Sequence, residues 1–591
     1  MSVKICVMAG VSAFLVTACQ PQERVPEIEA APVPPIEETS TAWSHGAMVA
    51  AADPRAVEAG LEVLRQGGHA VDAAIAVHTV LGLVEPQSSG IGGGAFMLVY
   101  DREKDETIVY DGRETAPSAI DENLFVENGE VLGFIDAWQS GKSAGVPGAI
   151  ALYKTAHDAH GQLDWASNFD AAIGLAETGF EVSPRLASVL ANERLRQFVR
   201  LDDHPVSAAY FYPDGAPLAE GAIRDNPDYA ETLRRVATEG TDAFYEGDIP
   251  EAIVATLAEE PRPGALSVAD IEAYEVKVRP PLCGTWRDYE ICSAPPPSSG
   301  GVTQNAIAGL YDRLLPEGAT EPEQFLRAFV DAQRLAYADR DHYVADADFV
   351  QVPAMDLINP DYLDVRATEV FEPGATPRPG DPGVALGGNP MVGMWGQDPT
   401  EDAPGTTHFS IVDKDGNAVA MTATIEAAFG NSRMVKGFLL NNELTDFARQ
   451  PRKSNLPVAN APGPRKRPRS SMSPTIIFDD AGGLKMVTGS PGGNSIVAYT
   501  AKTIIGVLAW DHTPQEAIDL PNIIARGETV GVEVDRDGGQ EVADELKAAG
   551  YNVQERRGEN SGLHVILVTE EGLLGGADPR REGVALALET D

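Results

Sequence analysis

Residues 403–419 read APGTTHFSIVDKDGNAV: a Pro-Gly pair, two threonines, then a strand-like run closed by an Asp-Gly turn. A threonine hydroxyl is a poor nucleophile unless a base sits beside it. One way to supply that base is to break the chain before Thr406, so that the freed α-amine takes the hydroxyl proton. Gly405 suits such a break. Glycine adopts backbone geometries that other residues avoid, and strain beside a threonine hydroxyl favours an N→O acyl shift. His408 falls on the face of Thr406 by strand alternation. A strand-face histidine satisfied by its neighbours accounts for it better than a catalytic base.

Two other motifs invite chemistry. Gly90-Ile91-Gly92-Gly93-Gly94-Ala95 matches a dinucleotide-binding fingerprint, but that fingerprint needs a strand before it and a helix after it. Here the order is reversed, so a tight loop with close backbone approach is the better account. Gly141-Lys142-Ser143-Ala144-Gly145 matches a serine-hydrolase elbow, whose helix should begin at once. Val146-Pro147-Gly148 interrupts it, which leaves Ser143 as the weaker nucleophile. Cys283 and Cys292 flank GTWRDYEI. With a hairpin turn at Arg287-Asp288 they lie opposite each other, suited to a disulfide in an exported chain. The alternative is two separate buried thiols.

These residues need elements to hold them. Asp53-Pro54 caps a helix expected to run to about Gln66, and an almost wholly apolar second helix spans about Ala70 to Val84. A glycine loop then leads into a strand over Phe96–Tyr100. A long, mostly helical middle follows. From about Gly405 the texture changes to HFSIVD, NAVAMTATIE, SPTIIFDD and GLKMVTGS, short strands joined by Asp/Gly turns, then an apolar helix in NSIVAYTAKTIIGVLAW. Helices and paired strands in that order predict layered α and β on one core.

The 591 residues carry 89 acidic and 45 basic side chains, a net charge of −44. Such a surface repels nucleic acid and anionic membrane. MSVKICVMAGVSAFLVTAC has a lysine, an apolar run and small residues, the pattern of a secretory signal. Its end, Val16-Thr17-Ala18-Cys19, resembles a bacterial lipobox with Cys19 as the lipidated residue; an ordinary cleaved signal is the alternative. Gln20 after it favours, by resemblance, the outer membrane. The expected place is the periplasmic face of a bacterial membrane, held only through the N-terminal lipid. Residues 20–42 are rich in Pro and Glu and should act as a disordered tether.

Eight segments stand in one order: EPQSSGIGGGAFMLVY, DGRETAP, APPPSSGG, TTHFSIVDKDGNAVAMTATIEAAFG, LLNNELTDF, RPRSSMSPTI, TGSPGGNSIV and GGADPRREG. Together they resemble the γ-glutamyltransferase family of N-terminal-nucleophile hydrolases, from about Trp43 to Gly583. The resemblance implies an α+β fold, a four-layer αββα sandwich made as one precursor. It implies cleavage between Gly405 and Thr406, giving a large subunit (43–405 in the folded part) and a small catalytic subunit (406–591) that stay together. Thr406 would attack γ-glutamyl amides such as glutathione, with water, an amino acid or a dipeptide as acceptor. No metal or cofactor is expected.

Further roles follow from the resemblance. Thr424 would hydrogen-bond the nucleophile. Gly492 and Gly493 would offer oxyanion-binding amides. Arg113, with Ser470 and Ser471, would hold the substrate α-carboxylate, and Glu443 and Asp446 its ammonium. Glu426 stands where many members have asparagine, and could grip the ammonium or turn away. The segment between Phe447 and Arg467 is shorter than the lid of some members and has no tyrosine, so an open groove is expected. Seven basic residues from Arg449 to Arg469 suggest an exposed loop able to steer an anionic substrate. Within the fold the rival is an acylase for glutaryl or cephalosporin-type side chains, whose substrate has no ammonium for Glu443 and Asp446. Outside it the rival is an inactive binding lipoprotein.

Overall fold

The computed structural model describes residues 45–588, apart from 260, 370, 399 and 401–404. The signal segment, Cys19 and the tether lie outside the described residues, as does the stretch just before Gly405.

A seven-stranded sheet is built from β1 (Met48–Ala51), β2 (Gly94–Asp101), β3 (Glu106–Asp111), β4 (Lys277–Arg279), β7 (Gly405–Val412), β8 (Ala418–Glu426) and β13 (Val584–Ala587). Its order is β13-β1-β7-β8-β2-β3-β4. A six-stranded sheet holds β5 (Leu282–Trp286), β6 (Tyr289–Ser293), β9 (Thr475–Asp479), β10 (Leu484–Gly489), β11 (His564–Thr569) and β12 (Gly572–Ala577), in the order β12-β11-β10-β9-β6-β5. The two sheets face each other.

Strand alternation sorts the side chains into three layers of core. Phe96, Leu98, Ala420 and Val412 of the first sheet meet Ile476, Val487 and Ile566 of the second between the sheets. Met97, Val99, Phe409 and Ile411 point outward under helices α1 (Pro54–Arg65) and α2 (Ala70–Val84). Ile477, Met486 and Val565 point outward on the other side, under α3 (Gly300–Leu314), α4 (Pro322–Tyr343) and α5 (Ile496–Ala509). The layers are α, β, β, α. Asp53 caps α1 by accepting from the Arg55 amide, as its place before Pro54 requires.

Cys283 and Cys292 are register partners on β5 and β6 and are joined as a disulfide. The hairpin turn between them passes through Arg287, in the left-handed region at φ 53°.

Candidate active site

Thr406 faces the space between the sheets, on the even-numbered side of β7. β7 pairs with β8 in register up to Thr406↔Thr424, but Gly405 pairs with Glu426, so Ile425 is an extra residue. Such a bulge re-aims the strand around it. It carries Glu426 into the left-handed region at φ 77° and turns the Glu426 amide onto the Thr424 hydroxyl, 2.7 Å away. The Thr406 hydroxyl lies 3.3 Å from that same oxygen. Thr424 in turn donates to the Gly405 carbonyl at 2.8 Å. A hydroxyl has one hydrogen and two lone pairs, and all three are committed here. Their directions are therefore set: Thr406 to Thr424, and Thr424 to the carbonyl that precedes Thr406.

Gly405 differs from the expectation of an unusual φ. It is not among the residues with positive φ. Its glycine is needed for space: a Cβ there would stand 2.3 Å from the Glu426 carbonyl oxygen and 2.4 Å from the Ala427 carbonyl carbon. The glycine loop before β2 has a similar cause. A Cβ on Gly93 would lie 2.0 Å from the Thr424 carbonyl oxygen. This is the close approach expected for that loop, and it supports the strand that carries Thr424.

A crevice of about 10 Å³ beside Thr406 is lined by Thr424, Glu426, Arg113, Glu443, Asp446, Ser470, Ser471 and Gly493. It brings together nearly every residue singled out in the sequence, with Gly492 next along the chain. The internal pairing is less simple than expected. Arg113, 1% exposed, pairs with Glu443 and Asp446 rather than waiting open for a carboxylate. It also donates to the carbonyls of Arg469 at 2.7 Å and Pro468 at 3.3 Å. The site holds both signs and pairs them internally, because an unpaired buried charge is costly.

Sequence reasoning missed four partners. Glu114, beside Arg113 in the chain, is fully buried against Glu443; burial pushes its carboxyl up to about 8. Burial likewise raises Glu443, with Arg113 pulling down and Glu114 and Glu426 pushing up. Asn442 donates to Glu426. Arg340 donates to the Ser471 hydroxyl. Arg581 donates to the Thr406 carbonyl at 2.7 Å. Of these Glu114, Asn442 and Arg581 had a signal, their places inside DGRETAP, LLNNELTDF and GGADPRREG, and only Arg340 had none.

Gly492 and Gly493 have φ values of 137° and 56°, which favour glycine. Among the described residues their amides donate to no backbone carbonyl. A short 3₁₀ turn, Gly493–Ser495, leads from them into α5. The dipole of that helix favours negative charge at this end.

His408 contacts Thr422 at 2.9 Å and Ser410 at 3.1 Å, and burial holds its pKa well below the ordinary range. It is a satisfied strand histidine. Ser143 is buried, donates to the carbonyls of Trp138 and Ser140 at 2.9 Å, and accepts from Asn431. It is a structural hydroxyl and no elbow. The basic run is not all exposed either. Lys466, Arg467 and Arg469 are buried, because the Ala459 and Ala461 carbonyls, Asp111 and Asp398 need partners there.

The sequence pattern of Gamma-glutamyltranspeptidase matches residues 56–588. The chain belongs to the γ-glutamyltranspeptidase family. Two relatives named glutathione hydrolase proenzyme are similar over most of their length. That of Bacillus subtilis (strain 168) is 35% identical over 484 residues, covering 80% of each chain. That of Escherichia coli (strain K12) is 32% identical over 545 residues, covering 90% of each. A solved cephalosporin acylase from Bacillus halodurans superposes with a TM-score of 0.79 over 96% of this chain and 100% of its own, at 24% identity, a likeness of fold. For a γ-glutamyltranspeptidase the crevice has a plain charge logic. One guanidinium, Arg113, faces the acidic side chains Glu426, Glu443 and Asp446, with Glu114 buried beside Glu443.

Proposed function

We propose that the chain is a self-processing γ-glutamyltransferase and glutathione hydrolase with Thr406 as nucleophile. The observation that carries this reading is the hydroxyl chain from Thr406 through Thr424 to the Gly405 carbonyl. In the precursor it puts a donor on the carbonyl oxygen that must take negative charge. Thr406 Oγ attacks the Gly405 carbonyl carbon, the C–N bond breaks, and an ester links Gly405 to Thr406. Water then cleaves the ester. Gly405 keeps a carboxylate, and Thr406 keeps a free α-amine.

That amine has an ordinary pKa of about 8, suited to general base work near neutral pH. Thr406 Oγ attacks the γ-carbonyl carbon of the substrate and its proton passes to the amine. The oxyanion is held by the Gly492 and Gly493 amides. The C–N bond breaks, and the departing amine takes the proton. Water or an acceptor amine then attacks the γ-glutamyl ester, giving its proton to the α-amine. The C–O bond breaks, and Thr406 recovers its hydroxyl.

Substrate choice follows from charge. A γ-glutamyl zwitterion brings a carboxylate for Arg113, Ser470 and Ser471 and an ammonium for Glu426, Glu443 and Asp446. It exchanges an internal ion pair for external ones of the same signs. A glutaryl acid brings no ammonium and leaves the carboxylates without a counter-charge.

Processing into subunits 43–405 and 406–591 would not separate them. β7 and β8 of the small piece lie between β1 and β2 of the large one, and β13 pairs with the far edge of β1. Export as a lipoprotein on the periplasmic face, anchored through Cys19, rests on the lipobox-like end of the signal segment. Radiolabelled palmitate should enter wild type and not Cys19→Ser; label in both would sink the anchor.

Purified protein should run as two fragments on a denaturing gel and release the amine of a γ-glutamyl anilide. Thr406→Ala should stay whole and inactive, and Ser143→Ala should cleave. An active, unbroken wild-type chain would overturn the reading.

A further inference from the structure

The turn that offers the Gly492 and Gly493 amides has little of its own to hold it. It closes on itself through the Ser495 amide on the Gly492 carbonyl at 3.1 Å and the Ile496 amide on the Gly493 carbonyl. Gly492, Asn494 and Ser495 line a cavity of about 680 Å³, so no packed core supports that side. Oxyanion donors work because they are preorganised and need not move as charge develops. Groups outside the turn must therefore fix it.

Two tyrosines reach it. Tyr499 lies in the first turn of α5, and helical side chains lean toward the N-terminus. Its ring comes back under Gly492, where a Cβ would stand 2.5 Å from Cε2. The Tyr499 hydroxyl donates to Glu559, and burial raises its pKa well above the ordinary range, so it keeps the proton it donates. Glu559 also accepts from Arg556 at 3.1 Å. The next residue, Asn560, offers its carbonyl to Arg581 at 3.2 Å, and Arg581 donates to the Thr406 carbonyl at 2.7 Å. The donor turn and the nucleophile are thus braced from two adjacent residues. Tyr337 holds the other end of the turn, its hydroxyl donating to the Asn494 carbonyl at 2.6 Å. It belongs to α4, one turn before Arg340, which reaches Ser471.

We propose that Tyr499, pinned by Glu559, and Tyr337 are positioning residues that fix the Gly492 and Gly493 amides on the oxyanion of turnover. The proposal rests on the γ-glutamyltransferase reading and deepens it. Neither tyrosine lines the crevice of Thr406, so each acts through the turn and not on the substrate. The Gly405 carbonyl has a donor of its own for self-cleavage, Thr424. Loss of either tyrosine hydroxyl should therefore weaken turnover and spare processing.

The test compares wild type with Tyr499→Phe and Tyr337→Phe, each of which keeps the ring. Fragment formation is followed over time, and kcat/KM is measured for a γ-glutamyl anilide. Inhibition constants are measured for L-glutamate and for its γ-boronic acid analogue, whose boron bonds to Thr406 Oγ as a tetrahedral adduct. Each variant should form fragments and bind L-glutamate as wild type does. Its kcat/KM should fall about tenfold, part of the hundredfold or more that loss of one oxyanion donor costs, and the boronate should weaken by the same factor. An unchanged kcat/KM in either variant would overturn the role of that tyrosine. A fall in kcat/KM with boronate affinity intact would overturn the proposal, and so would a loss shared by processing and L-glutamate binding, the mark of a merely structural role. Failure of wild type to release the anilide amine would instead overturn the reading beneath it.

Discussion

Thr424 donates its hydroxyl hydrogen to the Gly405 carbonyl oxygen at 2.8 Å. The same oxygen receives the Thr406 hydroxyl and the Glu426 amide. Under the proposed function, one side chain thus orients the nucleophile and polarises its first target. Thr424→Val keeps the shape and removes the donor. Processing should slow roughly 100-fold, as for loss of an oxyanion donor, while Thr424→Ser keeps most of the rate. Fragment formation over time on a denaturing gel measures both. Valine processed at the wild-type rate would remove Thr424 from the cleavage step.

Arg113 holds Glu443 and Asp446 with one guanidinium, all three buried. Arg113→Met leaves two carboxylates without their counter-charge. It should cost about 3–5 kcal/mol of stability, read from urea unfolding. Arg113→Lys keeps the charge but loses the fork. Its kcat/KM for a γ-glutamyl anilide should drop about tenfold to a hundredfold, chiefly through KM. An unchanged KM would mean that the substrate carboxylate binds elsewhere.

Much of this was legible in the chain because it is local. Strand alternation puts Thr406 and His408 on one face, and Asp53-Pro54 marks a helix start. Cys283 and Cys292 could be placed opposite each other from one hairpin turn. The residues of the crevice could be gathered only by resemblance, since Arg113 and Glu443 are 330 positions apart. What could not be read is what depends on packing. The extra residue Ile425 leaves no mark on the alternation of its strand. Nor does DGRETAP say that Arg113 will pair with the acids meant for an ammonium. Burial of Lys466, Arg467 and Arg469 reverses the usual meaning of a basic run, because their partners come from distant segments.

Glu114 gives the fold a pH dependence. Burial raises its carboxyl to about 8, whereas an unfolded glutamate titrates near about 4.3. Between those values the folded chain holds a proton that the unfolded chain has lost. Stability from this group is therefore complete at low pH and declines as pH rises toward 8. Glu114→Gln keeps the shape without the titrating proton. In an uncut Thr406→Ala background, its urea midpoint should fall less between pH 5 and pH 8 than that of the parent. The buried Glu443 keeps some slope in both. Equal slopes would show that Glu114 is ionised in the fold.

Arg581 is buried, donates to the Thr406 carbonyl at 2.7 Å, and lies 3.3 Å from Glu85. Glu85 also accepts from the Thr407 hydroxyl at 3.0 Å and pairs with Arg185. Burial lowers the guanidinium to about 9, so the site spends solvation to keep this cation behind the nucleophile. The proposed cut after Gly405 makes Thr406 a chain end, and this contact then holds its carbonyl from behind. Without it the α-amine and Oγ would swing together, and attack geometry would suffer before substrate affinity did. Arg581→Gln should lower kcat about tenfold to a hundredfold, the usual cost of a misplacement of about 1 Å. KM for a γ-glutamyl anilide should change little, because Arg581 does not line the crevice. The assay uses the fraction of material that has been processed. A raised KM with kcat intact would assign Arg581 to substrate binding and leave the nucleophile held by its strand alone.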